Sequence, residues 1–261
     1  MMRSVAGLVI AFCALAASRV DAALMHADVM GATVNFTNIV EDSPSGDPLP
    51  LFGQPAWAGG NSIDFDPSGN FSAVSQNGGA DVTDGKLTLM VRAKPGFSLE
   101  SLGLLETGLV TLLNLGGNDP FAAVTGLVDI DVVEVDGGAI QQVNLPPLSL
   151  TYSPSNGDFQ HSVDAAGPLY SSPWTGTLAV DLDAALTAAG IGYTFGATKI
   201  NITLNNRLLA ATGALGSIAI IDKKDFDITV TTEPVPEPAT ALLMLAASLG
   251  VLLLRERCRW N

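Results

Sequence analysis

Cysteine, histidine and positive charge are all scarce in this sequence, and each shortage removes a class of function. There are two cysteines, Cys13 and Cys258, near opposite ends of the 261 residues. The long stretch between them has no thiol. It can form no disulfide, no thiolate metal site and no thiol nucleophile. The two histidines, His26 and His161, form no His-Glu-x-x-His metal motif. Lys and Arg number 12 against 26 Asp and Glu, a formal net charge of −14. No Lys or Arg lies between Arg19 and Lys86, or between Lys94 and Lys199. Such a chain has no electrostatic footprint for nucleic acid or anionic lipid. The acidity suits a divalent cation or a cationic partner, and otherwise serves solubility. A Gly-x-Ser-x-Gly elbow and a phosphate-cradling glycine loop are also missing.

The two ends carry an address. Arg3, the apolar run from Val5 to Ala17 and the small residues of Val20-Asp21-Ala22 have the three-part layout of a secretory signal peptide. Residues 1–22 are expected to be removed after Ala22. Cys13 follows the bulky Phe12 inside the apolar run, so it is not a lipidation site. At the other end, Pro234-Val235-Pro236-Glu237-Pro238 is an extended, non-helical peptide. Residues 239–254 then hold no charge. As a helix they span about 24 Å, against a bilayer core of about 30 Å. A buried core helix is the competing reading, but the run is apolar on every face. Arg255, Arg257 and Arg259 follow, and the positive-inside rule keeps them in the cytoplasm with the body outside. The organisation expected is a signal peptide (1–22), a body (23–231), a tether (232–238), a transmembrane helix (239–254) and a basic cytoplasmic tail (255–261).

Val235-Pro236-Glu237-Pro238, a short apolar helix and an arginine-rich end, in that order, resemble the PEP-CTERM sorting signal. The resemblance covers residues 234–259. It implies a Gram-negative bacterium that makes an extracellular matrix. It also implies an exosortase, a membrane cysteine protease-like partner that recognises Pro236-Glu237-Pro238 and removes the helix. The body would then reach the cell surface or the matrix. A plain anchor that is never cut is the alternative. The Gram-positive Leu-Pro-x-Thr-Gly signal is missing near the helix. Five body phrases also resemble the bodies of other PEP-CTERM proteins. They are Phe36 to Glu41, Pro48 to Gly53, Asp64 to Pro67, Asp81 to Gly85 and Ile221 to Phe226. This likeness adds a class and not a mechanism.

The body reads as β throughout. Alternation predicts strands over 33–40, 62–65, 86–93, 98–105, 109–115, 123–135, 176–182, 198–208, 217–221 and 225–231. Residues 143–152, broken by Pro146-Pro147, belong at an edge or in a loop. Turns are expected at Asp66-Pro67-Ser68-Gly69, Asn77-Gly78-Gly79 and Asp84-Gly85. Asp183 to Ala189, closed by Gly190, is the one short helix expected. Many short strands without an internal repeat predict an all-β, single two-sheet sandwich of the jelly-roll kind.

Candidate chemistry is sparse. Asp64, Asp66, Asp81 and Asp84 put carboxylates on turns, where a structural Ca²⁺ finds hard oxygen ligands. Asx turns are the simpler use of the same side chains. Trp57 and Trp174 lie in loop-like stretches and are candidates for stacking on sugars. Asp64, Asp66 and Glu106 are available as paired carboxylates for glycoside hydrolysis. His161 sits among Asp158, Ser162 and Asp164, but a catalytic triad is made in space and not by such clustering. Three functions follow from these residues. They are a non-catalytic surface or exopolysaccharide-associated matrix component, a carbohydrate-binding sandwich, and a secreted hydrolase.

The sorting signal separates into parts with separate jobs. Glu237→Ala should leave membrane insertion intact and slow cleavage, while neutralising Arg255, Arg257 and Arg259 should disturb topology first. Mass spectrometry of the mature extracellular protein from an exosortase-bearing host checks this. Intact peptides spanning 238–254 in that fraction would mean an uncut anchor.

Overall fold

Apolar and polar side chains alternate through most of the body, and each alternating run forms a strand. The computed structural model describes residues 23–67, 69–116, 118–162, 167–213 and 215–236. The expected signal peptide, membrane helix and basic tail lie outside these residues. Among the described residues, no helix is long and apolar enough to cross a membrane.

The strands are β1 (Leu24–Met25), β2 (Val29–Met30), β3 (Val34–Asp42), β4 (Pro55–Gly59), β5 (Ser62–Phe65), β6 (Ser72–Gln76), β7 (Gly79–Ala93) and β8 (Phe97–Asn114). They continue with β9 (Phe121–Val135), β10 (Gly138–Asn144), β11 (Leu148–Ser149), β12 (Thr151–Ser153), β13 (Asp158–Gln160), β14 (Leu169–Asp181), β15 (Ala197–Thr212) and β16 (Ser217–Pro234). Among the described residues, one α-helix, α1 (Leu182–Ala188), starts at Asp181, whose side chain accepts the Ala184 N–H.

All pairings are antiparallel, and they fall into two layers. In the first, β3, β7, β15 and β9 run side by side, with β1 and β2 on β3 and with β10, β11 and β13 on β9. In the second, β4, β5, β16, β8, β14 and β12 follow one another, and β6 extends the β16 edge beyond β5. The layers join at one corner, where Ala197 of β15 pairs with Leu99 of β8. The sheet is therefore continuous and folds over on itself. Its inward rows, such as Ile200, Ile202 and Leu204 of β15, meet in a single core.

One end of that core is aromatic. Phe52 meets Phe71 edge-on at 5.1 Å between ring centroids and lies 5.8 Å from Phe226. Phe226 in turn lies 5.6 Å from Phe65. Phe52 comes from a loop rather than a strand, so something must hold it there. The buried Glu41 carboxylate does so by accepting the N–H groups of Leu51 and Phe52, the latter at 2.8 Å. Its other oxygen pairs with His26 Nε2 at 3.1 Å. Asp84 similarly accepts the Ser45 N–H at 2.9 Å, at the start of the same loop. Glu41, Phe65, Lys223 and Phe226, distant in sequence, thus converge around Phe52.

Several sequence expectations need correction. The 98–105 and 109–115 runs are one strand, β8, and the 217–221 and 225–231 runs are one strand, β16. Asp84-Gly85 is no turn. It lies within β7, where Gly85 faces inward because a Cβ there would fall 2.7 Å from Phe71. The body runs past its expected end at Thr231. Thr232, Glu233 and Pro234 still pair with β8, and the Val235 N–H donates to Gly96 O at 2.8 Å. Neighbouring strands supply the hydrogen bonds in each case, and a local turn signal does not outweigh them.

Close approach of the layers requires glycine at particular inward positions. A Cβ on Gly176 would lie 2.5 Å from Tyr152 Cε1 and 2.8 Å from Glu106 Cγ. Gly176→Ala should cost about 1–3 kcal/mol of stability. Gly192→Ala, where a Cβ meets nothing within 4 Å, should cost far less. Urea unfolding midpoints of the two variants test the difference.

Candidate functional site

The outer face of the second layer holds a shallow site at its β4 edge. In β5, Ile63 and Phe65 face the core, so Ser62 and Asp64 face out. Asp227 and Thr229 of β16 pair with Asp64 and Ser62, and Leu105 and Gly103 of β8 come next in the same rows. Gly103 contributes no side chain, and the surface dips there. The depression has a volume of about 350 Å³ and is lined by Ala58, Ser62, Gly103, Leu105, Asp227 and Thr229. Ser62 Oγ and Thr229 Oγ1 share a hydrogen bond of 2.9 Å across it. Trp57, next to Ala58 on β4, is 61% exposed, but it pairs with the inward Ile63 and so points to the opposite face from Ala58 and the depression. Its Nε1 donates to Gly60 O at 3.2 Å, which fixes the indole and leaves its faces uncovered.

Carboxylates gather at the same edge. The Asp64 carboxyl is pushed up to about 6. Burial is the first cause, then a side-chain hydrogen bond and the charge of Asp225, then the charges of Asp227 and Asp66. Two carboxyls hydrogen-bonded to each other must share one proton. Asp227 is also raised, by burial and by Asp225. The structure thus brings Trp57, Asp64 and Asp66 to one edge of the layer, with Trp57 on the opposite face from Asp64.

The other candidates lie elsewhere. Asp81 Oδ2 accepts the Val74 N–H at 2.7 Å, and Asp84 Oδ1 accepts the Ser45 N–H and hydroxyl. Both sit on β7 in the first layer, and both bind the backbone of neighbouring segments. Among the described residues, no three His, Cys, Asp or Glu side chains are grouped to hold a metal ion. Trp174 was a stacking candidate, and its burial corrects that expectation. It is 1% exposed, packs edge-on against Tyr152 at 6.0 Å and offers no face to a sugar. His161 is buried, with Nε2 on Gly167 O at 2.9 Å and its ring stacked on Tyr170. Val235 and Pro236, part of the expected sorting motif, line a cavity of about 990 Å³ with Arg92, Lys94, Phe97 and Phe195. Glu237, Pro238 and the three arginines lie outside the described residues.

A second group of polar residues lies in the core, between the layers. Glu106 and Lys223 are both 0% exposed. Lys223 Nζ donates to Glu106 Oε2, and the Asn206 amide donates to the same oxygen at 2.8 Å. The Tyr152 hydroxyl donates to Glu106 Oε1 at 2.5 Å. Lys223 Nζ also lies 4.9–5.1 Å from the centroids of Phe52, Phe71 and Phe226. Burial pushes the Lys223 ammonium down, and the Glu106 charge opposes this. Tyr152 is pushed strongly up, first by burial and then by Glu106. The sequence offered Glu106 only as a carboxylate for glycoside hydrolysis with Asp64 and Asp66, from which its burial in the core separates it; its partners were missed, although a signal existed. Glu106, Asn206 and Lys223 each stand in phase with a row of buried apolar residues. In β8 that row is Leu102, Leu104, Glu106, Gly108, Val110 and Leu112.

The raised carboxyls of the outer site predict a pH dependence. Folded Asp64 keeps its proton to about pH 6, while in the unfolded chain it ionises near pH 4. Across that window the folded state binds more protons, so stability falls as pH rises and stays lower above about pH 6. Asp64→Asn should flatten the fall. A residual slope of the same sign should remain from Asp227 and from Asp183, which burial also raises. Unfolding midpoints at about pH 4 and about pH 7 check this.

Comparison with known proteins gives distant likenesses only. No protein-family model matches the chain, and no curated protein matches it. Among solved structures, TmCBM61 in complex with β-1,4-galactotriose is similar at 12% identity and a TM-score of 0.22, over 77% of this chain and 83% of that one. The CBM22-1 xylan-binding domain of Paenibacillus barcinonensis Xyn10C is similar at 11% identity and 0.16, over 60% and 85%. The enzymatically active domain of bacteriophage CBA120 tailspike protein 4 is similar at 12% and 0.18, over 81% of this chain and 20% of that one. Scores this low carry no argument about function.

Proposed function

We propose that the body is a non-catalytic, carbohydrate-binding β-sandwich. A PEP-CTERM signal delivers it to the surface or matrix of a Gram-negative bacterium, and exosortase removes the tail. The delivery rests on Val235-Pro236-Glu237-Pro238, the apolar run after it and the three arginines. The binding reading rests on one observation, the exposed Trp57 indole at the sheet edge where the hydroxyls and carboxylates of the outer face end. An indole face takes the apolar face of a pyranose, and carboxylates accept hydrogen bonds from its hydroxyls. The net charge of −14 favours a neutral polysaccharide over an anionic one.

A secreted hydrolase is the second reading. Asp64, protonated to about pH 6 beside Asp225, is the observation that favours it. It requires that a bound polysaccharide be shortened on incubation.

Affinity electrophoresis of the mature protein in gels containing neutral polysaccharides tests the first reading. Trp57→Ala should weaken retention by about tenfold, with no change in melting temperature. If no polysaccharide retards the wild-type protein, the body is a structural surface component and binds no glycan.

A further inference from the structure

The buried group in the core contains the three parts of an acyl transfer: an amine, a carboxamide and a carboxyl between them. We propose that Lys223 and Asn206 form an intramolecular amide cross-link, with Glu106 carrying the proton and ammonia leaving. The Nζ of Lys223 and the Nδ2 of Asn206 both donate to Glu106 Oε2. Two nitrogens on one oxygen are at most about 6 Å apart. All three side chains are buried, so water does not compete for the acyl carbon.

The step balances without a co-reactant. Neutral Nζ attacks Asn206 Cγ, and a new C–N bond forms. Glu106 takes a proton from Nζ and passes one to Nδ2. The Cγ–Nδ2 bond breaks, ammonia leaves, and a secondary amide joins the two side chains. A buried amine is a better nucleophile than an exposed one because burial favours its uncharged form. Lys223 is shifted in that direction. The Tyr152 hydroxyl on Oε1 holds the carboxyl in place. Asn206 Oδ1 is buried with no partner among the described residues, so no hydrogen bond must break before attack.

The product removes a physical cost. A lysine ammonium and a carboxylate in a dry core are expensive to desolvate, and the amide eliminates the ammonium. The bond would also tie β15 of one layer to β16 of the other. A body without cysteine has no disulfide with which to do this.

Intact-mass spectrometry of the purified full-length protein tests the proposal. The wild type should be one ammonia lighter than its sequence, apart from any loss of the signal peptide. Trypsin should not cut after Lys223, and the digest should contain a branched peptide joining 200–207 to 208–224. Asn206→Asp should give the same branch with loss of water in place of ammonia. Glu106→Gln should keep the full mass. Wild-type protein at full mass, with 200–207 and 208–223 recovered as separate linear peptides, overturns the proposal. So does a branch that contains Glu106 in place of Asn206. The wild-type measurement decides the question even where a variant fails to fold.

Discussion

The sandwich is arranged around one buried carboxylate. Glu106 of β8 receives donors from β16, β12 and β15, and so from both layers. A carboxylate in a core of leucine and phenylalanine is tolerable only if its oxygens are satisfied. That requirement sets how the layers lie on each other. Sliding β15 by one residue would turn Asn206 outward. The net stability of such a group is small, because desolvation offsets most of the attraction. What it supplies is a single arrangement in which every charge has a partner. Gly85, Gly108, Gly126 and Gly176 follow from it, since a Cβ at each would strike the side chains packed there.

Lys223 reaches Glu106 because β16 contains a bulge. Ala219, Ile221 and Lys223 face inward at odd positions, and Phe226, Ile228 and Val230 face inward at even ones. The register shifts between Lys223 and Asp225. An extra residue there changes the phase, as a β-bulge does. Without it, either the lysine or the phenylalanine cluster would face solvent. The same shift places Asp225 and Asp227 on the outer side, next to Asp64. One irregularity therefore shapes both the cationic core and the acidic edge.

The edge site depends on the sheet for its form and on local chemistry for its character. Asp64 and Asp227 are opposed because β5 and β16 are in register, and the Asp227 charge helps to raise the affinity of Asp64 for its proton. Trp57 is exposed because β4 is the last strand of its layer, with no neighbour to cover the indole. Trp174 has a similar loop-like sequence context but occupies an inward position of β14, between β12 and β8. Position within the sheet, not the flanking residues, separates the two tryptophans.

By itself, the sequence determined the all-β class, most strand positions and the short helix. Each of these is local. Period-two alternation and an alanine-rich run closed by a glycine are legible within ten or twenty residues. Only the tertiary structure decided that two pairs of predicted strands fuse, that Asp84-Gly85 lies inside a strand, and that the body reaches Pro234. It alone joined Glu106, Tyr152, Asn206 and Lys223, which are separated by as many as 117 residues. The reason is that hydrogen bonds between strands and the satisfaction of buried charge are long-range conditions. A polar residue in a buried row shows in the sequence, but its partners are named only by the fold.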